Sequence, residues 1–319
     1  MLLTNLLILL GGLLVLGVAS HYLVKSSVHI ARMFKVSEIW IGLTVVAMGT
    51  SAPEIAVSVK AALDGQGALS VGNVIGSNIF NLGFILGLVS IVAPQKISQK
   101  MVYRDMVALM LSTIAILVII WNQFVTRTEG IILLALLVAY NAFLFWKKDL
   151  PEADEEMEDA KGSWEDVLLF VVSLYFLVKG SDYVVESAVS IAQSYGVSEW
   201  AIGATIVAAG TSLPEVATSL TATLKRKFGI SIGNVVGSDI FNVLGIIGVS
   251  AVVAPLGLHS ATTVLGLPDN LFSMVLLVAT IVLVGIMMRT GWRLSRFEGA
   301  LLLSISVARM VLEVYLGKG

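Results

Sequence analysis

Val36–Glu54 reads VSEIWIGLTVVAMGTSAPE and Val197–Glu215 reads VSEWAIGATIVAAGTSLPE; Ser70–Asn81, SVGNVIGSNIFN, recurs as Ser231–Asn242, SIGNVVGSDIFN. Displacing the chain by 161 residues lays Ser20–Gly87 on Ser181–Gly248 without a gap, and 35 of the 68 pairs are identical. A shared taste for apolar residues does not produce identity at prolines, glycines and acids. The chain is an internal duplication, and its fold has to be read in halves.

What surrounds the duplicated blocks is mostly lipid-compatible. Of 319 residues, 57% are hydrophobic and 13% are charged, against about 25% charged in an average soluble domain. Apolar segments fall at 2–24, 38–63, 69–94, 104–122, 129–147, 165–189, 198–224, 230–255, 269–288 and 297–317. Long apolar runs without strand alternation are helices rather than barrel strands. The chain therefore reads as an all-α integral membrane protein with ten transmembrane helices. The only long polar stretch, Lys147–Asp166, carries nine acids and divides the helices five and five. Residues 1–147 form the first repeat, 148–164 an acidic linker and 165–319 the second repeat. An odd number of helices per repeat inverts the second copy. Two inverted-topology five-helix repeats are an architecture of secondary transporters, with the site at the repeat interface near the midplane.

Charge placement adds orientation and exclusions. Fifteen of the 20 Lys and Arg fall in loops on one side of this ten-helix scheme. By the positive-inside rule that side is cytoplasmic, with the linker inside, both termini outside and the plasma membrane as the expected location. The N-terminus lacks a basic start and reads as a retained first span. A net charge of -2 and no basic stripe argue against nucleic acid, and zero cysteines exclude disulfides, thiolate nucleophiles and Cys-ligated metals. The sequence assigns no role to Lys179, in the sixth span, and none to the oligomeric state.

Ionisable groups inside spans are functional candidates, because a charge at the bilayer centre costs at least about 2.5–3.5 kcal/mol. Glu54 and Glu215 lie midway along the second and seventh helices, at equivalent positions of the two copies. Thr50 and Ser51 precede Glu54 by four and three residues and share its face; Thr211 and Ser212 do the same for Glu215. Pro53 and Pro214 each remove an amide donor, and local unwinding beside Gly49 and Gly210 would free carbonyls around Ala47 and Ala208. On the following helices, Ser77 with Asn81 and Ser238 with Asn242 are i,i+4 pairs. This ligand set is all oxygen. It suits a hard cation taking six to eight ligands, Ca²⁺ better than Mg²⁺, whereas zinc or copper would want His or Cys. His21, His29 and His259 are scattered near helix ends.

Two ionised glutamates neutralise one Ca²⁺, and an empty site would hold two like charges in low dielectric. Such a site should cross only when a ligand set neutralises it. That is obligatory exchange driven by a competing ion, and no P-loop or other cofactor motif is present.

At these residues the sequence resembles the cation/calcium exchanger superfamily, in particular its prokaryotic sodium/calcium exchanger branch. The resemblance spans nearly the whole chain and rests on GTSAPE and GTSLPE with their partners GNVIGSNIFN and GNVVGSDIFN. It implies antiport of Ca²⁺ against Na⁺ by alternating access, with helices one and six sliding against the other eight. Glu54 and Glu215 would be the main Ca²⁺ ligands. Thr50, Ser51, Thr211 and Ser212, with the Ala47 and Ala208 carbonyls, would help form Ca²⁺ and flanking Na⁺ sites; Ser77 and Ser238 would complete Na⁺ sites, and Asn81 and Asn242 would line the centre. One position departs. Well-known sodium/calcium exchangers carry Asp where this chain has Asn242, and here the acid is Asp239. An ideal helix turns Asp239 about 100° from Ser238, so the spacing predicts that it misses the cluster.

A Ca²⁺/H⁺ antiporter would use the same glutamates as proton acceptors, and a passive cation channel would use the same oxygens without a counter-gradient. An intramembrane enzyme is disfavoured, since no His or Cys accompanies the glutamate pair. Glu54→Gln and Glu215→Gln should each abolish Ca²⁺ transport in reconstituted vesicles while leaving the chain folded; flux retained in both single variants would rule the assignment out.

Overall fold

The computed structural model describes residues 2–147, 162–195, 206, 208–258, 263–264 and 267–316. Most of the acidic linker, His259 and residues 198–205 and 207 of the seventh apolar segment lie outside the described residues. The described chain is almost entirely helical: α1 is Leu2–Phe34, α2 is Glu38–Thr50 followed by Ala52–Leu63, α3 is Gly67–Val92, α4 is Met101–Asn122 and α5 is Arg127–Lys147. After the linker come α6 (Trp164–Ser194), the described parts of α7 (Ala208–Gly210 and Leu213–Leu224), α8 (Phe228–Val253), α9 (Asp269–Arg289) and α10 (Arg296–Leu316). Among the described residues, seven helices are long and apolar enough to cross a membrane, or eight if the two pieces of α2 count as one span.

The first helix is longer than its apolar run. Beyond residue 24 the chain turns polar, yet α1 continues to Phe34. Ser26 and Ser27 hydrogen-bond back to the carbonyls of Tyr22 and Leu23, at 2.8 and 2.7 Å, so they satisfy themselves inside the helix instead of ending it. It stops at Lys35, whose φ of 56° is left-handed. At 33 residues, α1 is roughly 50 Å long against a hydrocarbon core of about 30 Å.

α1 and α6 lie side by side and antiparallel. Gly12 faces Gly180 and Val184 near one end, and His29 pairs with Asp166 at 2.7 Å near the other. A Cβ on Gly12 would stand 2.8 Å from Val184 Cγ2 and 3.1 Å from the Gly180 carbonyl, so the small residues set the closeness of this crossing. The buried apolar residues of the pair, including Leu16, Leu23, Val28, Phe170 and Leu177, form a cluster of their own with a few residues of the second, seventh and eighth segments. A second, larger cluster joins α3, α4, α5, α8 and α9. Lys179, unexplained by sequence, pairs with Asp182 one turn on at 3.0 Å, on the outer face of α6.

α2 bends by 48° at Ser51, where Pro53 cannot continue the amide ladder. α8 runs against its first piece. A Cβ on Gly237 would meet the Leu43 carbonyl oxygen at 2.5 Å, and one on Gly233 the Ile39 oxygen at 2.8 Å. Two short antiparallel strand pairs close the loops: β1 (Gln95–Lys96) with β6 (Arg293–Leu294), and β2 (Phe124–Val125) with β3 (Leu256–Gly257). Each pair joins one half of the chain to the other. A third pair, β4 (Thr263–Val264) with β5 (Leu267–Pro268), is local.

Gly237→Ala should destabilise the fold by about 1–3 kcal/mol through overpacking against backbone. Gly17→Ala, where nothing lies within 4 Å, should leave the denaturation midpoint unchanged. Equal midpoints in the two variants would mean that α8 does not sit this close to α2.

Candidate cation site

The bend in α2 puts Ser51 and Glu54 at the start of a fresh helical piece, and the same local sequence puts Ser212 and Glu215 at the start of Leu213–Leu224. In each case the proline occupies the first turn, where a missing donor is harmless. The first turns of the two pieces meet. Ser51 Oγ donates to Glu215 Oε1 at 3.1 Å, and Ser212 Oγ donates to Glu54 Oε1 at 3.0 Å. These are one contact made twice with the halves exchanged. Both glutamates and both serines are fully buried.

The exchange of halves extends to the neighbouring helices. Asn73 Nδ2 donates to Ser58 Oγ at 2.9 Å, and its equivalent Asn234 donates to Ser219 Oγ at 3.0 Å. Asn242 Nδ2 donates to Asn78 Oδ1 at 3.0 Å, and Asn81 Nδ2 donates to Asp239 Oδ1 at 2.9 Å. Asn81 and Asn242 each open a π-helical turn, Asn81–Ile85 and Asn242–Ile246. Such turns are rare and concentrate at functional sites.

What these bonds leave over defines the chemistry. Glu54 Oε2, Glu215 Oε2, Asp239 Oδ2, Asn81 Oδ1, Asn242 Oδ1 and Thr211 Oγ1 are all buried without a hydrogen-bond partner. A buried polar atom left unpaired costs about 1–3 kcal/mol, so six oxygens of this kind in one region call for a ligand. All six can accept, which matches a hard cation. Among the described residues no three His, Asp or Glu side chains converge as a ready metal trio. Hydroxyl, amide and backbone oxygens must complete any coordination shell.

The structure brings most of the sequence-predicted residues together. Thr50 Oγ1 lies 3.3 Å from the Ala47 carbonyl, 3.0 Å from Asn234 Oδ1 and 3.4 Å from Ser238 Oγ. Ser238 Oγ in turn lies 3.4 Å from the Ala47 carbonyl and 3.4 Å from Glu215 Oε1. The Ala47 carbonyl is not free of its helix, because it still accepts the Ser51 amide at 3.1 Å. Ala208 opens the short piece Ala208–Gly210, and its side-chain surroundings lie outside the described residues. Ser77 is buried one turn before Asn81 but makes no hydrogen bond to either carboxylate among the described residues.

Asp239 corrects the sequence reading. It does not miss the cluster: it is fully buried and holds Asn81. Measured from Asn242 rather than from Ser238, it lies about 60° round the helix, so Ser238 and Asp239 flank Asn242 on one broad face. Asn73, Asn78 and Asn234 were also missed as site residues, although all three stand in the duplicated GN and GSN blocks.

Residues 4–146 and 166–313 match the sodium/calcium exchanger protein family. The chain belongs to that family. It is 31% identical to the sodium/calcium exchanger MaX1 of Methanosarcina acetivorans, over 99% of this chain and 100% of that one. It is 35% identical to CaxA of Alkalimonas amylolytica, over 95% of this chain and 96% of that one. A solved structure of the sodium-calcium exchanger NCX_Mj, soaked with Na⁺ and Sr²⁺, superposes with a TM-score of 0.83 at 30% identity, covering 98% of this chain and 99% of that one.

The twin serine bonds should be of equal worth. Ser51→Ala and Ser212→Ala should each weaken Ca²⁺ binding about tenfold, the loss expected for one hydrogen bond to a charged group. Equilibrium binding to the purified chain measures this, and a silent variant beside a severe one would show that the two halves do not contribute alike.

Proposed function

We propose that the chain is a secondary antiporter that moves Ca²⁺ against Na⁺ across a membrane by alternating access. One observation carries the reading: two buried glutamates, one from each half, are each held by the serine of the other half, with one carboxylate oxygen apiece left unpartnered. The name of MaX1 and the likeness to NCX_Mj support the choice of ions. Glu54 and Glu215 are the Ca²⁺ ligands. Thr50, Ser51, Thr211, Ser212, Ser77, Ser238 and the carbonyls of Ala47 and Ala208 supply the remaining Ca²⁺ and Na⁺ oxygens, with Asn81 and Asn242 at the centre.

The architecture we infer is ten spans in two inverted repeats, 1–147 and 165–319, joined by the 148–164 linker. The antiparallel pairing of α1 with α6 supports the inversion, since the two are equivalent in the duplication. The strand pairs support the count. β1–β6 joins the loops after α3 and α9, and β2–β3 joins those after α4 and α8. Loops that follow two odd-numbered helices, or two even-numbered ones, meet only on one side of an alternating chain. Lys96, Lys100, Arg289, Arg293 and Arg296 cluster around the first pair, which supports our reading of that side as cytoplasmic, with both termini and the β2–β3 pair outside.

The mechanism follows from charge. With its divalent ion gone, the centre holds like charges in low dielectric and has to be neutralised before it can face the other side. Sodium ions entering the same oxygens meet that need, so each ion set clears the way for the other. Vesicles reconstituted with the chain should show Ca²⁺ uptake driven by an outward Na⁺ gradient. Uptake that ignores Na⁺ and follows a pH gradient would replace Na⁺ by H⁺; equal flux without any counter-gradient would make the chain a channel.

A further inference from the structure

Asp239 breaks the duplication at one position, since the first half carries Asn78 there. Two amides from the first half converge on it. Asn81 Nδ2 donates to its Oδ1 at 2.9 Å, and Asn78 Nδ2 donates to its main-chain oxygen at 3.0 Å. A carboxylate accepts and has nothing to donate, so Asn81 can meet it only with the NH₂ end. The carbonyl end of Asn81 is thereby turned the other way, buried and without a partner.

The second amide is fixed by the main chain at the same position, whatever side chain stands there. Asn78 has its NH₂ on the Asp239 carbonyl, so it receives Asn242 with its oxygen: Asn242 Nδ2 donates to Asn78 Oδ1 at 3.0 Å. That leaves Asn242 Oδ1 buried and unpartnered as well. An amide at position 239 would offer both a donor and an acceptor, and Asn81 could then take either orientation. Hard cations take carbonyl oxygens and are repelled by NH₂ groups, so the flip decides whether Asn81 serves the ion or opposes it.

We propose that Asp239 is a positioning residue: its carboxylate turns the carbonyl oxygen of Asn81 toward the transported cation. This rests on the reading that Glu54 and Glu215 hold the cation.

The test is equilibrium binding of radioactive Ca²⁺ to the purified, detergent-solubilised chain, with Na⁺ competition and a circular-dichroism check of folding. D239N should stay helical and bind Ca²⁺ about tenfold more weakly, the effect of disorienting ligands that the ion needs. D239N/N81D, which reverses the hydrogen bond between positions 81 and 239 and keeps an acceptor oxygen where Asn81 Oδ1 stands, should recover most of the affinity. Wild-type binding in D239N overturns the proposal. Weak binding that the double variant does not improve also overturns it, because the acid would then act from its own place and not through the side chain of residue 81. If D239N fails to fold, the double variant decides alone: near wild-type affinity supports the orienting role and loss of binding refutes it. Glu54→Gln separates the two readings. Lost binding in Glu54→Gln beside normal binding in D239N discards only the role of Asp239, whereas normal binding in Glu54→Gln discards the cation site itself.

Discussion

Two carboxylates buried within reach of each other are the constraint to which the rest of the structure answers. Neither Glu54 nor Glu215 touches solvent, and no Lys or Arg is bonded to either in the surrounding hydrogen-bond network. Charge of one sign in low dielectric is tolerable only with compensation, and a site to which no Lys or Arg is bonded among the described residues has to import it. The broken α2, the prolines in the first turns, the buried hydroxyls and the unpartnered amide oxygens all serve this end. They supply acceptors where a helix would otherwise close its own hydrogen bonds and offer none.

Duplication makes that arrangement economical in sequence. One motif, used twice, generates each contact twice: Ser51 with Glu215 and Ser212 with Glu54, Asn73 with Ser58 and Asn234 with Ser219. Departures from the twofold pattern are then conspicuous. Thr50 bonds to Asn234, whereas Thr211 Oγ1 has no partner. Ser238 reaches Glu215, whereas Ser77 reaches neither carboxylate.

Much of this was legible before any coordinates. The repeat, the two glutamates and their flanking hydroxyls follow from identity at polar positions inside apolar runs, where an acid is expensive enough to carry information. Helix ends were less legible. α1 outruns its apolar segment because Ser26 and Ser27 bond to their own helix, a local exchange that composition does not reveal. Asp239 was misplaced because one neighbour, Ser238, served as the angular reference, while the face that counts is centred on Asn242 and is broad. The amide network was missed for another reason: an asparagine in a transmembrane helix reads equally well as packing glue, and only its partner across the interface decides.

The two strand pairs give the molecule an uneven stiffness. Each ties a loop of one half to a loop of the other, and the two lie after different helices, β1–β6 following α3 and α9 and β2–β3 following α4 and α8. The body they bind is stapled at both faces, like a drum laced at top and bottom. α1 and α6 carry no such lacing and meet that body through a separate apolar seam. To part α1 and α6 from α7 would cost more than apolar contact, because Ser20 with Thr221, Lys225 with the His21 carbonyl and Ser181 with the Gly210 carbonyl rivet the two bodies together.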